Sequence, residues 1–184
     1  MQKIELMAPA GNFESMQAAL DNGADSIYFG VEQLNMRARA SINFTLDDLP
    51  EIVRRFEKKS VRTYLTLNTI IYDHDLSIIK TLLDAAKSAE ITAVIAMDQA
   101  VISYARQIGM EIHISTQINI TNIETVKFYA MFADTMVMSR ELSLRQVKKI
   151  VDQIEKEQVK GPSGRLVEIE IFGHGALCMA VSGK

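Results

Sequence analysis

The last stretch of the chain, "FGHGALCMAVSGK", puts His174 in a glycine-flanked turn four residues before Cys178, the one cysteine present. A thiol near an imidazole is the material of a thiolate–base pair, and a thiolate is also a soft metal ligand. Most lone cysteines are small buried hydrophobes; the glycines around Cys178 weigh against that plainer role. Arg37 and Arg39, in "NMRARA", offer two guanidiniums one residue apart, a pattern suited to a dianion or an RNA phosphate. Arg140 and Glu141 stand together in "SRELSL", Asn68 closes "YLTLN", and Gln117 lies in "STQIN". Some polar residues are owed to turns and helix caps alone, and Asp98 and Asn122 are assigned to capping. Arg37, Arg39, Arg140 and His174 have no such duty and are candidates for function. The chain has no His-Glu-x-x-His, no Gly-x-Ser-x-Gly and no Walker loop.

The elements that would position these residues follow from pattern. Short runs rich in apolar and β-branched residues read as strands: "IELM" from Ile4, "SIYF" from Ser26, "VRTYLTL" from Val61, "TAVIAM" from Thr92, "EIHIS" from Glu111, "TMVM" from Thr135 and "LVEIEIF" from Leu166. Between them lie helical stripes: Phe13, Met16 and Leu20; Leu76, Ile79, Leu82 and Leu83; Leu144, Val147, Ile150, Val151 and Ile154. Ser143 with Gln146 fits a capping box, and Thr45 with Asp48 a looser one. Alternation of strand and helix predicts parallel strands with right-handed crossovers. The fold expected is α/β, a TIM-barrel-type parallel (β/α) arrangement of about seven strands and six helices in a single domain over 1–184. A complete eight-unit barrel takes about 250 residues, so an incomplete barrel or an open sheet is predicted. The Pro, Gly and Ser of Lys156–Arg165 predict an exposed, mobile loop.

In parallel folds of this class ligands bind at the carboxyl ends of the strands, which is where Asn68, Gln117, Arg140, Glu141 and His174 fall. Period-two alternation also sorts the strand faces. His113 and Ser115 oppose Ile112 and Ile114, and Glu168 and Glu170 oppose Ile169 and Ile171. His113 and Glu170 are therefore expected inside and hydrogen-bonded, whereas Glu168, near its strand start, is expected to be wet. A net charge of -3 and a pI of about 5.7 exclude general polyanion binding as the default. One cysteine rules out an internal disulfide framework and suits a reducing compartment. The N-terminus does not read as a signal peptide, and no apolar run reaches the roughly 20 residues that span a bilayer. A cytoplasmic protein without a membrane partner is expected.

"ELMAPAGNFESMQAAL", "GADSIYFG", "YLTLNT", "HISTQINITN", "SRELSL" and "EIEIFGHGALCMAVSGK" together resemble the peptidase U-32 family, the collagenase-like peptidases, from end to end of the chain. The resemblance implies a β/α barrel in the N-terminal part. It implies either a peptidase, as the label says, or oxygen-independent hydroxylation of a tRNA wobble uridine, an rRNA cytidine or the ubiquinone ring. Those hydroxylation factors carry a four-iron–four-sulfur cluster, and the RNA-directed ones are linked to prephenate. Cys178 matches the first cluster cysteine of the family motif. A cubane usually takes four cysteines, so no cluster is expected on this chain, which reads as the N-terminal part of a longer protein. By the same matching, Asn68, Gln117, Arg140, Glu141 and His174 are candidate pocket residues. The first expectation is an RNA-hydroxylating enzyme with a small anionic donor such as prephenate bound near Arg37, Arg39 and Arg140. The alternatives are a peptidase built on His174 and Cys178, and a noncatalytic fragment or partner subunit. Open strand edges predict self-association, most simply as a dimer.

Overall fold

The computed structural model describes residues 4–31, 44–57 and 60–175. Arg37, Arg39 and Cys178 lie outside the described residues. The chain divides into two compact units, residues 1–110 and 111–184.

In the first unit strand and helix alternate: β1 (Met7–Pro9), α1 (Phe13–Asp21), β2 (Ser26–Phe29), α2 (Leu49–Glu57), β3 (Arg62–Leu67), α3 (Leu76–Ser88), β4 (Ala93–Ala96) and α4 (Gln99–Gln107). β1 pairs with β2, β2 with β3 and β3 with β4, all in parallel. Residues in lateral register share a face. Tyr28, Tyr64 and Ala93 align across three strands on one face, and Phe29, Leu65 and Val94 align on the other. The first face is an apolar cluster of Tyr64, Ala93 and Ile95 with Met7 and Tyr28 packed on it. The residues of the second face are fully buried, as are Leu82 and Leu83 of α3.

The second unit holds β5 (Glu111–Ile114), α5 (Ile123–Tyr129), β6 (Thr135–Val137), α6 (Leu144–Glu157) and β7 (Glu168–Glu170). β5 pairs with β6 and β6 with β7, again in parallel. His113, Thr135 and Glu168 form one lateral row, and Ile114, Met136 and Ile169 the adjacent row on the opposite face. The expected parallel β/α class is thus observed, with seven strands and six α-helices among the described residues. Six strands match the predicted runs to within two residues at either end.

Three local expectations are corrected. The first strand was expected over 4–7 and starts only at Met7. The Leu6 N–H donates to the Asp25 carboxylate at 3.0 Å, and Ile4 and Leu6 are exposed, so nothing apolar pins them into the sheet. Leu144, counted in the apolar stripe of α6, is 73% exposed because it occupies the first helical position, ahead of the buried Ile150 and Ile154. The loop expected over Lys156–Arg165 is exposed as predicted, and what differs is its local structure, which hydrogen bonds define. α6 continues to Glu157, Gln158 caps it in the left-handed conformation, and Lys160 pairs with Leu166 in an antiparallel bridge. The Gly161 N–H donates to the Arg165 carbonyl at 3.0 Å, and the Ser163 hydroxyl donates to Asp134 at 2.6 Å. Pro, Gly and Ser here build a tight turn.

Candidate functional site

Among the described residues, each candidate is set by the loop that leaves the C-terminal end of a strand. In the first unit Asn68 directly follows β3 and is half-buried. Beneath it Thr66 donates its hydroxyl to the Phe29 carbonyl at 2.6 Å, tying the ends of β2 and β3 together. Asp98 follows β4 and caps α4: its carboxylate accepts the Ala100 N–H at 2.8 Å and, from its second oxygen, the Ile71 N–H at 3.2 Å. The assignment of Asp98 to capping holds, and the bond to Ile71 gives it a second structural task in the loop after β3. Asn12, which also follows a strand, is a cap as well. Its side-chain oxygen accepts the Ser15 N–H at 2.8 Å, and the Ser15 hydroxyl returns to accept the Asn12 N–H at 3.2 Å. A capping box satisfies the orphan donors of a helix start, so Asn12 is accounted for without a ligand.

The second unit gathers most of the candidates. After β5 the chain makes a single 3₁₀ turn over Thr116–Ile118, which carries Gln117, and leaves through Asn119 in the left-handed conformation. Ser115 caps that turn by accepting the Gln117 N–H at 3.3 Å. The loop is stitched to β6 by the Thr116 hydroxyl, donating to the Met138 carbonyl at 3.2 Å, and by an Ile120–Met138 bridge. β6 in turn is stitched to β7, where the Met138 N–H donates to the Glu170 carbonyl at 2.9 Å. Three successive strand ends are therefore held in one hydrogen-bonded frame. Gln117, the Arg140–Glu141 pair and His174 stand on the loops of that frame.

Within the frame, the Arg140 guanidinium lies over the Phe172 ring, 5.4 Å from its centroid. A cation over an aromatic face is favoured by the ring quadrupole, and it places a guanidinium beside an aromatic ring at the end of β7. Glu141 beside it is exposed and accepts a hydrogen bond from the buried Ser139 hydroxyl. That bond, then its own backbone N–H, then the charge of Arg140 hold the Glu141 carboxyl below the ordinary carboxylate range. His174 is exposed. Ser139 was expected at the end of its strand but not as a site residue, and Phe172 was not singled out. The signal for Phe172 was its place two residues after Glu170, on the same alternation.

On the face of the sheet below that frame lies a buried histidine between two partly exposed carboxylates. His113 is 3% exposed. Its Nε2 is 3.5 Å from Glu111 and its Nδ1 is 3.7 Å from Glu170. Burial by itself pushes the His113 pKa down; the two carboxylates, Glu111 and then Glu170, outweigh that and leave it raised. Glu168 is exposed.

A model of peptidase family U32 matches residues 11–184. The chain is 52% identical to a collagenase of Porphyromonas gingivalis over 98% of its own length and 44% of that protein's. It is 30% identical to tRNA hydroxylation protein P1 of Bacillus subtilis over its whole length and 41% of that protein's. It therefore spans less than half the length of these relatives. Among solved structures it resembles a U32 peptidase with a TM-score of 0.68 at 12% identity, covering 92% of this chain and 67% of that one.

Proposed function

We propose, from the premise that this chain belongs to peptidase family U32, that it is the β/α barrel part of an enzyme that hydroxylates RNA, with a tRNA uridine as the target. The observation that carries this reading is the surface at the end of β7. Arg140 over the Phe172 ring, with Glu141 beside it and Gln117 on the loop after β5, combines an aromatic–cationic pair with hydrogen-bonding groups. Nucleobases are bound by stacking on aromatic and guanidinium planes and by hydrogen bonds to their edges. Correspondence over the whole chain with a tRNA hydroxylation protein supports the same reading. Arg140 is the proposed contact for a small anionic donor such as prephenate, because a guanidinium matches a carboxylate in a bidentate fork.

The iron–sulfur cluster implied by the family resemblance does not fit the residues of this chain alone. A cubane takes about four cysteines, the chain has only Cys178, and no His, Cys, Asp and Glu cluster with metal-ligand geometry occurs among the described residues. If a cluster is present in the full-length protein, Cys178 is proposed as one of its ligands.

A test is to express the full-length protein in cells deleted for their own tRNA-hydroxylating enzymes and to digest the tRNA to nucleosides. Mass spectrometry should find a uridine that has gained one oxygen. An unchanged nucleoside profile, with the protein soluble and folded, overturns the reading. Calorimetry should show prephenate binding weakened about tenfold or more in Arg140→Ala, the cost of losing a charge-assisted contact.

The 52% identity to a protein named collagenase favours a second reading, a peptidase. It would use Cys178 as nucleophile and His174 as base. Cleavage of gelatin by the full-length protein, abolished in Cys178→Ala, would establish it. Gelatin left intact while the tRNA gains oxygen would eliminate it.

A further inference from the structure

The site described above leaves one feature without a use, the histidine buried between two carboxylates. His113 comes from β5 and Glu170 from β7, with β6 between them. Lateral register places His113, Thr135 and Glu168 in one row, so Glu170 stands one step closer to the ligand-binding end on the same face and Glu111 one step further from it. The side chain of His113 is 4% exposed, and those of Glu170 and Glu111 are 24% and 36% exposed. The order along the face is therefore a carboxylate reaching solvent, a buried imidazole, and a second carboxylate reaching solvent nearer the strand starts. Burying a histidine costs free energy unless its ring nitrogens are matched. Here each nitrogen faces its own carboxylate at ion-pair distance, 3.5 Å and 3.7 Å, and not in the hydrogen bond expected from sequence, so the match is one of charge.

We propose that His113 is a positioning residue: held from behind by Glu111, its ring fixes the Glu170 carboxylate at the ligand-binding end of β7 as an anionic hydrogen-bond acceptor. The ligand chemistry this suits is a planar N–H donor, which in the tRNA reading is the N3–H edge of the target uridine. That assignment of the ligand rests on the proposed function; the clamp itself does not.

Three features carry the clamp. First, the His113–Glu170 contact joins different strands, β5 and β7, so it is made only in the folded unit. Second, β6 contributes Thr135 and Val137 to the same face and neither is charged. The titratable groups facing the ring are thus Glu111 on its own strand and Glu170 on β7, with Glu168 in its lateral row but exposed. Third, the charges favour the arrangement: two carboxylates offset the desolvation of the ring and raise the affinity of His113 for its proton. A protonated ring donates from both nitrogens, so neither carboxylate lacks a donor. If the ring loses that proton, one of its nitrogens no longer donates and the clamp opens on one side.

The experiment reads both parts in the full-length protein. With histidine labelled in 15N and His113 assigned from the spectrum of His113→Gln, an NMR titration should show His113 holding its proton to higher pH than an exposed histidine. Glu170→Gln and Glu111→Gln should each move the midpoint to lower pH, and Glu168→Gln should leave it in place. A midpoint at or below that of an exposed histidine, or one unmoved by Glu170→Gln, overturns the clamp. The second readout is the pH profile of tRNA hydroxylation. Wild type should lose activity at alkaline pH along the NMR midpoint. In His113→Gln the activity should be at least tenfold lower and that alkaline limb should vanish. Glu170→Gln should retain the fold and lose at least tenfold. An alkaline limb persisting in His113→Gln overturns the positioning role. A wild type that does not hydroxylate tRNA overturns the uridine assignment and the proposed function together, while the NMR midpoints still decide the clamp.

Discussion

His113 shows how a residue can be read correctly as to face and still have its partners hidden. Alternation within "EIHIS" put it opposite Ile112 and Ile114, and it is buried. Its two partners come from the first residue of its own strand and the last residue of another. The pair of contacts has a consequence for stability. A group whose pKa is raised on folding stabilises the native state fully below its unfolded value, about 6.5 for histidine, and that contribution fades as pH rises through the folded value. Because His113 is raised, urea midpoints of wild type should fall between about pH 6 and pH 9 by more than those of His113→Gln or Glu170→Gln. Equal slopes for wild type and both variants would count against it. Gly161 makes a steric prediction. A methyl group there would meet the Asp134 Cα at 2.8 Å and the Ala133 carbonyl oxygen at 2.9 Å. Both are backbone atoms and neither can swing away. Gly161→Ala should cost about 1–3 kcal/mol, seen as a lower melting temperature. Gly164→Ala meets no neighbour and is strained only by its φ of +79°.

At the scale of the element, helix starts were the most legible feature. Ser143 with Gln146, Asp98 and Asn122 all cap the helices expected of them. A cap is a contact across two or three residues, so the chain itself supplies both partners. What could not be seen locally is that Asp98 also accepts the Ile71 N–H, 27 residues away. The two roles predict different costs. Ser143→Ala should lose about 1 kcal/mol, the usual worth of a cap. Asp98→Ala should lose about 2 kcal/mol or more, since it also strands a second backbone donor. Chemical denaturation of the two variants tests the ranking. Equal losses would mean that the Ile71 bond adds nothing. The turn over Lys156–Arg165 is the complementary case. Composition pointed to a loop, and the order there comes from Asp134, which accepts both the N–H and the hydroxyl of Ser163. That partner lies 29 residues earlier and leaves no trace in the composition of the turn.

For the whole molecule, the two units use one architecture with different faces. In the first unit, the face carrying Tyr64, Ala93 and Ile95 is apolar, and the Tyr64 hydroxyl reaches Glu5 at 2.8 Å near the strand starts. In the second, the corresponding alternation brings His113, Thr135 and Glu170 onto one face. The first unit therefore resembles a core and the second a site. Leu82→Ala, in the buried layer of α3, should cost about 2–5 kcal/mol by leaving a cavity, with no specific effect on ligand affinity in whatever protein remains folded. Backbone NMR shifts on adding prephenate to the full-length protein should concentrate on residues 115–120, 139–142 and 171–175, the loops after β5, β6 and β7. Shifts confined to the opposite ends of the strands would place the ligand elsewhere. Among the described residues no helix is long and apolar enough to cross a membrane.

Periodicity and local turn chemistry, which are properties of neighbouring residues, determined the strand–helix alternation, the parallel class, most element positions and the caps. They also determined which residues would collect at the carboxyl ends of the strands: Asn68, Gln117, Arg140, Glu141 and His174. Tertiary structure alone decided what those residues touch. The stack of Arg140 on Phe172 joins positions 32 residues apart in sequence, and the Glu111–His113–Glu170 cluster depends on β6 lying between β5 and β7 in a particular register. A one-residue slip would turn His113 to the apolar face. Neither the Arg140–Phe172 nor the His113–Glu170 contact has a local signature, because the energy that brings the strands together comes from burying Ile112, Ile114 and Met136 on the other side of the sheet. The polar face inherits its geometry from that packing.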